Sequence, residues 1–209
     1  MLTEHHLKEN EIDMISIENY NLGAKFCRQV LKNGGVCIFI HESIAFMNIN
    51  FHNSCKEQNT EVCAVKLNLT NINTVIISIY RSPSGNVYYY YYYYYYYYYY
   101  YPSQLDSTVN LLHNNKTGVI MCGDINVNYL ENCTKRQQLA SVLAIYNLIG
   151  TVHFPTRIIN GHVSATDNIF IDKTSNYTVS PFINGMSDHD AGVITLNNIF
   201  LQKRVVCGM

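Results

Sequence analysis

The stretch Val119-Ile-Met-Cys-Gly-Asp-Ile-Asn126 decides how this chain is read. Val119 to Cys122 is an apolar run, short enough for a buried strand and short for a helix. It runs into Gly123, where a missing side chain lets backbone or ligand approach closely. Asp124 and Asn126 follow. Two positions apart on an extended chain, they face the same side. A carboxylate and an amide converging at a strand's C-terminal end can hold a water and a phosphate together. Gly-Asp and Asn-x-Asn are also ordinary turn chemistry, so the stretch alone does not settle function.

Working outward, the chain alternates strand and helix signals. Val36 to Ile40 follows the turn signal Asn33-Gly34-Gly35 and reads as a buried strand. In Glu61 to Leu69, Cys63, Val65, Leu67 and Leu69 share one face at period two. Val75 to Tyr80 is nearly all apolar, which predicts a strand covered on both faces. Gln104 to His113 places Leu105, Val109 and Leu112 on one helical face. Thr134 to Gln137 reads as a capping box that opens a helix with Leu139, Val142, Leu143 and Tyr146 inward, and Gly150 as its stop. Strands are predicted near Asp167 to Ile171, Tyr177 to Phe182 and Ala191 to Leu196. The interleaving implies one layered α/β domain with mixed sheets, without an internal repeat.

Composition narrows the function. The 209 residues suffice for one domain, and 48% hydrophobic with 14% charged residues is globular. Lys and Arg number 14 against 15 Asp and Glu, a formal net charge of −1, so any DNA binding depends on local placement of charge. The sequence contains no apolar run long enough for a transmembrane helix. Seven cysteines without a CxxC pair fit buried thiols in a reducing, intracellular compartment better than a disulfide frame or a zinc cage. Tyr88 to Tyr101 is an unbroken tyrosine run. Identical side chains cannot select a buried face. A triplet-repeat expansion explains the run more simply than a platform for stacking bases, and it is an aggregation hazard.

Four further segments carry candidate chemistry. Ser187-Asp188-His189-Asp190 offers a hard-cation ligand in Asp188 and a phosphate donor or acid/base group in His189. Adjacent residues diverge on an extended chain. Ile79-Tyr80-Arg81-Ser82-Pro83 delivers a phenol to a strand end, able to hydrogen-bond a phosphoryl oxygen. Glu4 is a carboxylate beside His5 and His6, a pair that lacks the i, i+4 spacing of a helical zinc site. Asp167 opens an apolar strand and could orient His189 by accepting its other ring N–H. Each has a plain reading as turn, cap or solvated charge.

Their order is specific: Glu4, Tyr80-Arg81-Ser82-Pro83, Gly123-Asp124-Ile125-Asn126, Asp167-Asn168-Ile169-Phe170, Ser187-Asp188-His189. With Asn33 to Ile40 and Val152-His-Phe-Pro-Thr-Arg157, it resembles the endonuclease/exonuclease/phosphatase superfamily. More narrowly, it is similar to the endonuclease domain of Jockey-like non-LTR retrotransposons, over residues 1–196, with 197–209 as a tail. The resemblance implies a four-layered α/β sandwich of two mixed sheets flanked by helices, with the site at one end of the sheets. It implies Mg²⁺- or Mn²⁺-dependent phosphodiester hydrolysis, and nicking of chromosomal DNA to leave a 3′-hydroxyl that primes reverse transcription. By position, Glu4 and Asp188 would serve the metal, Tyr80 the scissile phosphate, Asp124 and Asn126 the attacking water, and His189, held by Asp167, the pentacovalent phosphate. Arg81 and Arg157 would touch backbone phosphates of DNA.

The sequence also departs from the family. The family's first strand and helix are expected to be lacking before Glu4. The tyrosine run stands where a helix would start, so Gln104 to His113 would keep only its later turns. The family's reverse transcriptase is expected to be absent after Met209, and no membrane partner is expected. The alternative readings are a catalytically inactive, partly folded remnant of a retroelement, and a phosphatase of the same fold.

Overall fold

A computed structural model describes residues 1–51, 55, 57, 59–68, 73–83, 97–112, 117–183, 185 and 187–197, with side chains of the second helix from Leu105 onward. Leu69, His113, Tyr88 to Tyr96 and the tail beyond Asn197, which carry expectations above, lie outside the described residues. The elements in chain order are β1 (Leu2–Thr3), α1 (Glu9–Ile12), β2 (Tyr20–Phe26), β3 (Val36–His41), β4 (Phe46–Ile49), β5 (Glu61–Asn68) and β6 (Asn73–Tyr80). Then come α2 (Tyr97–Leu112), β7 (Thr117–Asp124), α3 (Thr134–Ile145), β8 (Leu148–Gly150), β9 (Arg157–Ile159), β10 (His162–Ser164), β11 (Asp167–Asp172), β12 (Tyr177–Phe182) and β13 (Ala191–Leu196).

The principal sheet has six strands in the order β4-β5-β6-β7-β11-β8. Only β6 and β7 are parallel in it, which makes it mixed. Period-two alternation divides its side chains between two cores. Val62 and Ala64 on β5, and Val75, Ile77 and Ile79 on β6, join Leu105 and Val109 of α2 and Leu139 and Leu143 of α3. Cys63, Val65 and Leu67 on β5, with Tyr80 on β6, face Ala24, Val36, Ile38 and Ile40 of β2 and β3. The sheet is therefore sandwiched between helices and the three-stranded sheet β1-β3-β2. The hairpin β12–β13 lays Val179 and Ile194 against the first core. Among the described residues, no helix is long and apolar enough to cross a membrane.

Several expectations change in detail. The second sheet is antiparallel throughout its described ladders, not mixed. α2 begins at Tyr97, so the last part of the tyrosine run is helical and the helix is longer than Gln104 to His113. Thr134 is not a capping residue: Cys133 is the N-cap, without a side-chain cap, and Gln137 Nε2 donates to Asn132 Oδ1. Gly150 does not stop α3, which ends at Ile145 with Tyr146 as its C-cap. It closes β8, where a Cβ would meet the Tyr129 ring at 2.5 Å.

Candidate active site

The parallel β6–β7 pair sets the site's position, because both strands run toward the same end of the sheet. β6 ends on Tyr80 and β7 on Asp124. Gly123 makes their close approach possible. Its φ is +149°, and a Cβ there would lie 1.8 Å from the Ile79 carbonyl oxygen. Antiparallel β11 starts where β7 stops, which puts Asp167 directly opposite Asp124. Glu4 follows β1, and Tyr80 donates its phenolic hydrogen to Glu4 Oε1.

Asp124 and Asn126 converge through a turn rather than an extended chain, since Asn126 has φ +49°. Asn126 N donates to Asp124 Oδ1 at 2.9 Å and its Nδ2 to Oδ2 at 3.2 Å. Glu4 also has a left-handed backbone, with φ +52°. Such conformations in non-glycine residues carry strain and cluster at functional sites.

His189 is brought to this end by the chain between β12 and β13. Its Nδ1 donates to Asp167 Oδ2 at 2.7 Å. Adjacent Asp188 points elsewhere, onto Arg157, whose Nε and Nη2 donate to its Oδ2 at 2.9 and 2.7 Å. This exposed pair joins the residue expected at a metal to one expected at DNA. Arg81 is likewise engaged at the site, its Nη1 donating to the carbonyls of Ile125 and Asn126 at 3.3 and 3.4 Å. Its own carbonyl accepts from Asn126 Nδ2 at 2.6 Å.

Two residues without a role in the sequence reading support the site from behind. Thr156 is fully buried, and its hydroxyl donates to Asp167 Oδ2 at 2.9 Å. Asn168 is buried on the opposite face of β11. Its Oδ1 accepts from the amides of Thr151 and Val152 at 3.0 and 3.1 Å, anchoring the segment that leads to Thr156. The signal for Asn168 is its place one residue after a strand-opening Asp. The signal for Thr156 is only its neighbour Arg157.

The electrostatics follow from burial and crowding. Desolvation and the facing Asp167 carboxylate push Asp124 up to about 7. The hydrogen bond to Asp167 raises His189 above its usual value despite burial. Burial and the Glu4 hydrogen bond raise Tyr80, keeping it a neutral donor. Arg157 holds Asp188 below the usual carboxylate range. Ligand atoms of Asp124, Asp167 and His189 all lie within 4.8 Å of one another, a group able to hold a cation. Two carboxylates with one imidazole form an oxygen-rich set suited to a hard divalent ion.

No protein-family profile matches the chain, and no curated protein matches it by sequence. Solved structures do match. The endonuclease domain of TRAS1, a telomere-specific non-LTR retrotransposon, aligns with a TM-score of 0.62 at 15% identity, over 90% of this chain and 81% of that one. A 3′ phosphatase from Neisseria, NExo, bound to a product DNA hairpin, gives 0.64 at 13% identity, over 93% and 87%. An endonuclease/exonuclease/phosphatase family protein from Leptotrichia buccalis gives 0.56 at 13% identity, over 92% and 75%. At these identities the likeness is one of fold: the chain has the DNase I-like α/β fold of the endonuclease/exonuclease/phosphatase proteins.

Proposed function

We propose that the chain is a divalent-metal-dependent phosphodiesterase that nicks DNA, as retrotransposon endonucleases do, and leaves a 3′-hydroxyl able to prime reverse transcription. The observation that carries the proposal is the convergence of Asp124, Asp167 and His189 at the end of β7 and β11. Glu4 and Tyr80 meet beside them. Two continuous cores support the site, which counts against a partly folded remnant.

The donor set fits the implied Mg²⁺ or Mn²⁺. Buried Asp124 faces another carboxylate and needs positive charge nearby. Glu4 and Asp167 supply the oxygen ligands in this reading, with Asp124 beside them. Asp188 would join only by giving up Arg157. When bound, the ion supplies charge stabilisation at the phosphoryl oxygens.

Asp124, near neutral in its acidity, accepts the proton of the attacking water. Asn126 holds that carboxylate through two donors and orients the water and phosphate. His189, whose hold on its proton is strengthened by Asp167, faces the charge that builds on non-bridging oxygens. Tyr80 shifts its hydrogen bond from Glu4 to a phosphoryl oxygen. Arg157 and Arg81 stand at the edge of the site as backbone-phosphate contacts.

The test separates substrate classes. Purified chain is given a duplex oligonucleotide, an oligonucleotide ending in a 3′-phosphate, and a phosphorylated lipid headgroup, each with Mg²⁺. Internal cleavage whose product a polymerase extends without prior dephosphorylation is expected. Phosphate release from either monoester without internal cleavage would replace the proposal with a phosphatase.

A further inference from the structure

The histidine pair after Glu4 and the turn Asn33-Gly34-Gly35 remain without a role, and the structure joins them. His6 N donates to Gly34 O at 2.8 Å, and Gly34 N donates to His6 Nδ1 at 2.9 Å. A Cβ on Gly35 would lie 2.5 Å from the His5 ring, and one on Gly34 would lie 2.4 Å from the Arg28 guanidinium. Both glycines have φ near +90°, at 90° and 82°. Glycine therefore lets the turn close over the residues after Glu4 on one side and over Arg28 on the other.

Arg28 is the centre of this packing and is buried. Its Nε donates to Glu61 Oε1 at 2.5 Å and its Nη1 to the Lys32 carbonyl at 3.1 Å. Buried Glu61 accepts the Gly35 amide on its other oxygen at 2.6 Å. Glu61 is the direct cross-strand partner of Tyr80. The guanidinium carbon lies 5.8 Å from the centroid of the Tyr80 ring. Nη2 is buried and without a hydrogen-bond partner among the described residues, and the guanidinium stands over the ring face. A buried ion pair is a weak stabiliser compared with apolar packing, so stability alone does not account for it. A planar guanidinium over a ring restricts that ring in a way an ammonium does not.

We infer that Arg28 is a positioning residue for Tyr80. Clamped by Glu61 and the Gly34–Gly35 turn, it holds the plane of the Tyr80 ring. It thereby aims the phenolic O–H, in this structure at Glu4. Aiming at a phosphoryl oxygen rests on the proposed function; holding the ring does not. Arg28 itself touches no substrate.

The test places 3-fluorotyrosine at position 80 of the full chain and reads it by fluorine NMR. Parent, Arg28→Lys and Glu61→Gln are compared, with far-ultraviolet circular dichroism reporting the fold. The parent is expected to give one sharp resonance displaced from that of free 3-fluorotyrosine. Both variants are expected to move it back toward the free position and to broaden or double it, with unchanged dichroism. An unmoved resonance in both overturns the inference. Should either single change unfold the chain, Arg28→Met with Glu61→Met removes both buried charges together and carries the same reading.

Turnover adds a second arm. Removing a donor to the phosphoryl oxygens costs about 10²-fold, so misaiming one in Arg28→Lys is expected to lower kcat about tenfold at unchanged KM. In a Tyr80→Phe background the same change is expected to cost nothing further, and full additivity would overturn the inference. A parent without turnover whose fluorine resonance still responds sinks the phosphodiesterase reading and leaves the positioning of Tyr80 standing.

Discussion

His189 Nδ1 lies 2.7 Å from Asp167 Oδ2, while the same Asp167 sits directly across the ladder from buried Asp124. One carboxylate thus serves two partners with opposite needs. It favours a proton on the imidazole and disfavours charge on Asp124. Both groups are therefore pushed upward: His189 chiefly by Asp167, and Asp124 by burial with Asp167 added.

Asp167→Asn separates these effects. His189 loses its anionic partner, so its pKa is expected to fall toward the ordinary value. Activity is expected to drop by about 10²-fold, with the alkaline limb of the pH profile moved to lower pH. Ring titration by NMR alongside a pH–rate profile checks both. An unmoved His189 titration would break the link.

Thr156→Val keeps the side chain's shape and removes the hydroxyl that donates to Asp167. Loss of such an outer partner is expected to lower turnover about tenfold. Fold should hold, because the Thr156 amide bond to the Ser164 carbonyl remains. Steady-state kinetics with a thermal melt measure the two separately.

How much of this was legible follows from which residues carry local signals. The strands β3, β5, β6, β7 and β11 were legible because runs such as Val75 to Tyr80 are bounded by turns. Gly123 was legible as a point of close approach, and Ile79 is what approaches it. β2 was not, because Tyr20 to Phe26 mixes Asn, Gly and Lys with apolar residues and is shaped by a register shift between Leu22 and Ala24. The Asp167–His189 contact could be named from the order of motifs. The Asp188–Arg157 and Arg81–Ile125 contacts could not, because long flexible cations choose partners only in the folded chain.

Gly123→Ala is expected to destabilise the fold by about 3 kcal/mol or more, because backbone must move and a left-handed-side φ must be accommodated. The clash is with the Ile79 carbonyl in the neighbouring parallel strand, not with a side chain that can swing away. Urea unfolding measures it. A midpoint unchanged from the parent would mean that β6 and β7 are not packed this way.

Stability is expected to depend on pH and metal together. Asp124 is raised from 3.8 to about 7 in the folded chain, so its contribution is complete below about 4 and is lost as pH rises through about 7. His189, also raised, acts in the same direction and loses its contribution as pH passes its folded value. A divalent cation relieves the charge that ionised Asp124 brings. Melting temperature should therefore respond to Mg²⁺ more at pH 8 than at pH 5, and Asp124→Asn should remove that difference. Equal responses at the two pH values would place the cation away from Asp124.

The most direct test is nicking of supercoiled plasmid by the purified chain in Mg²⁺, beside EDTA and beside Asp124→Ala and His189→Ala of confirmed fold. The expected result is open-circle product that needs the metal and both side chains. Product formed equally by either variant would contradict the assignment of the site, and folded parent giving no product would contradict the phosphodiesterase itself.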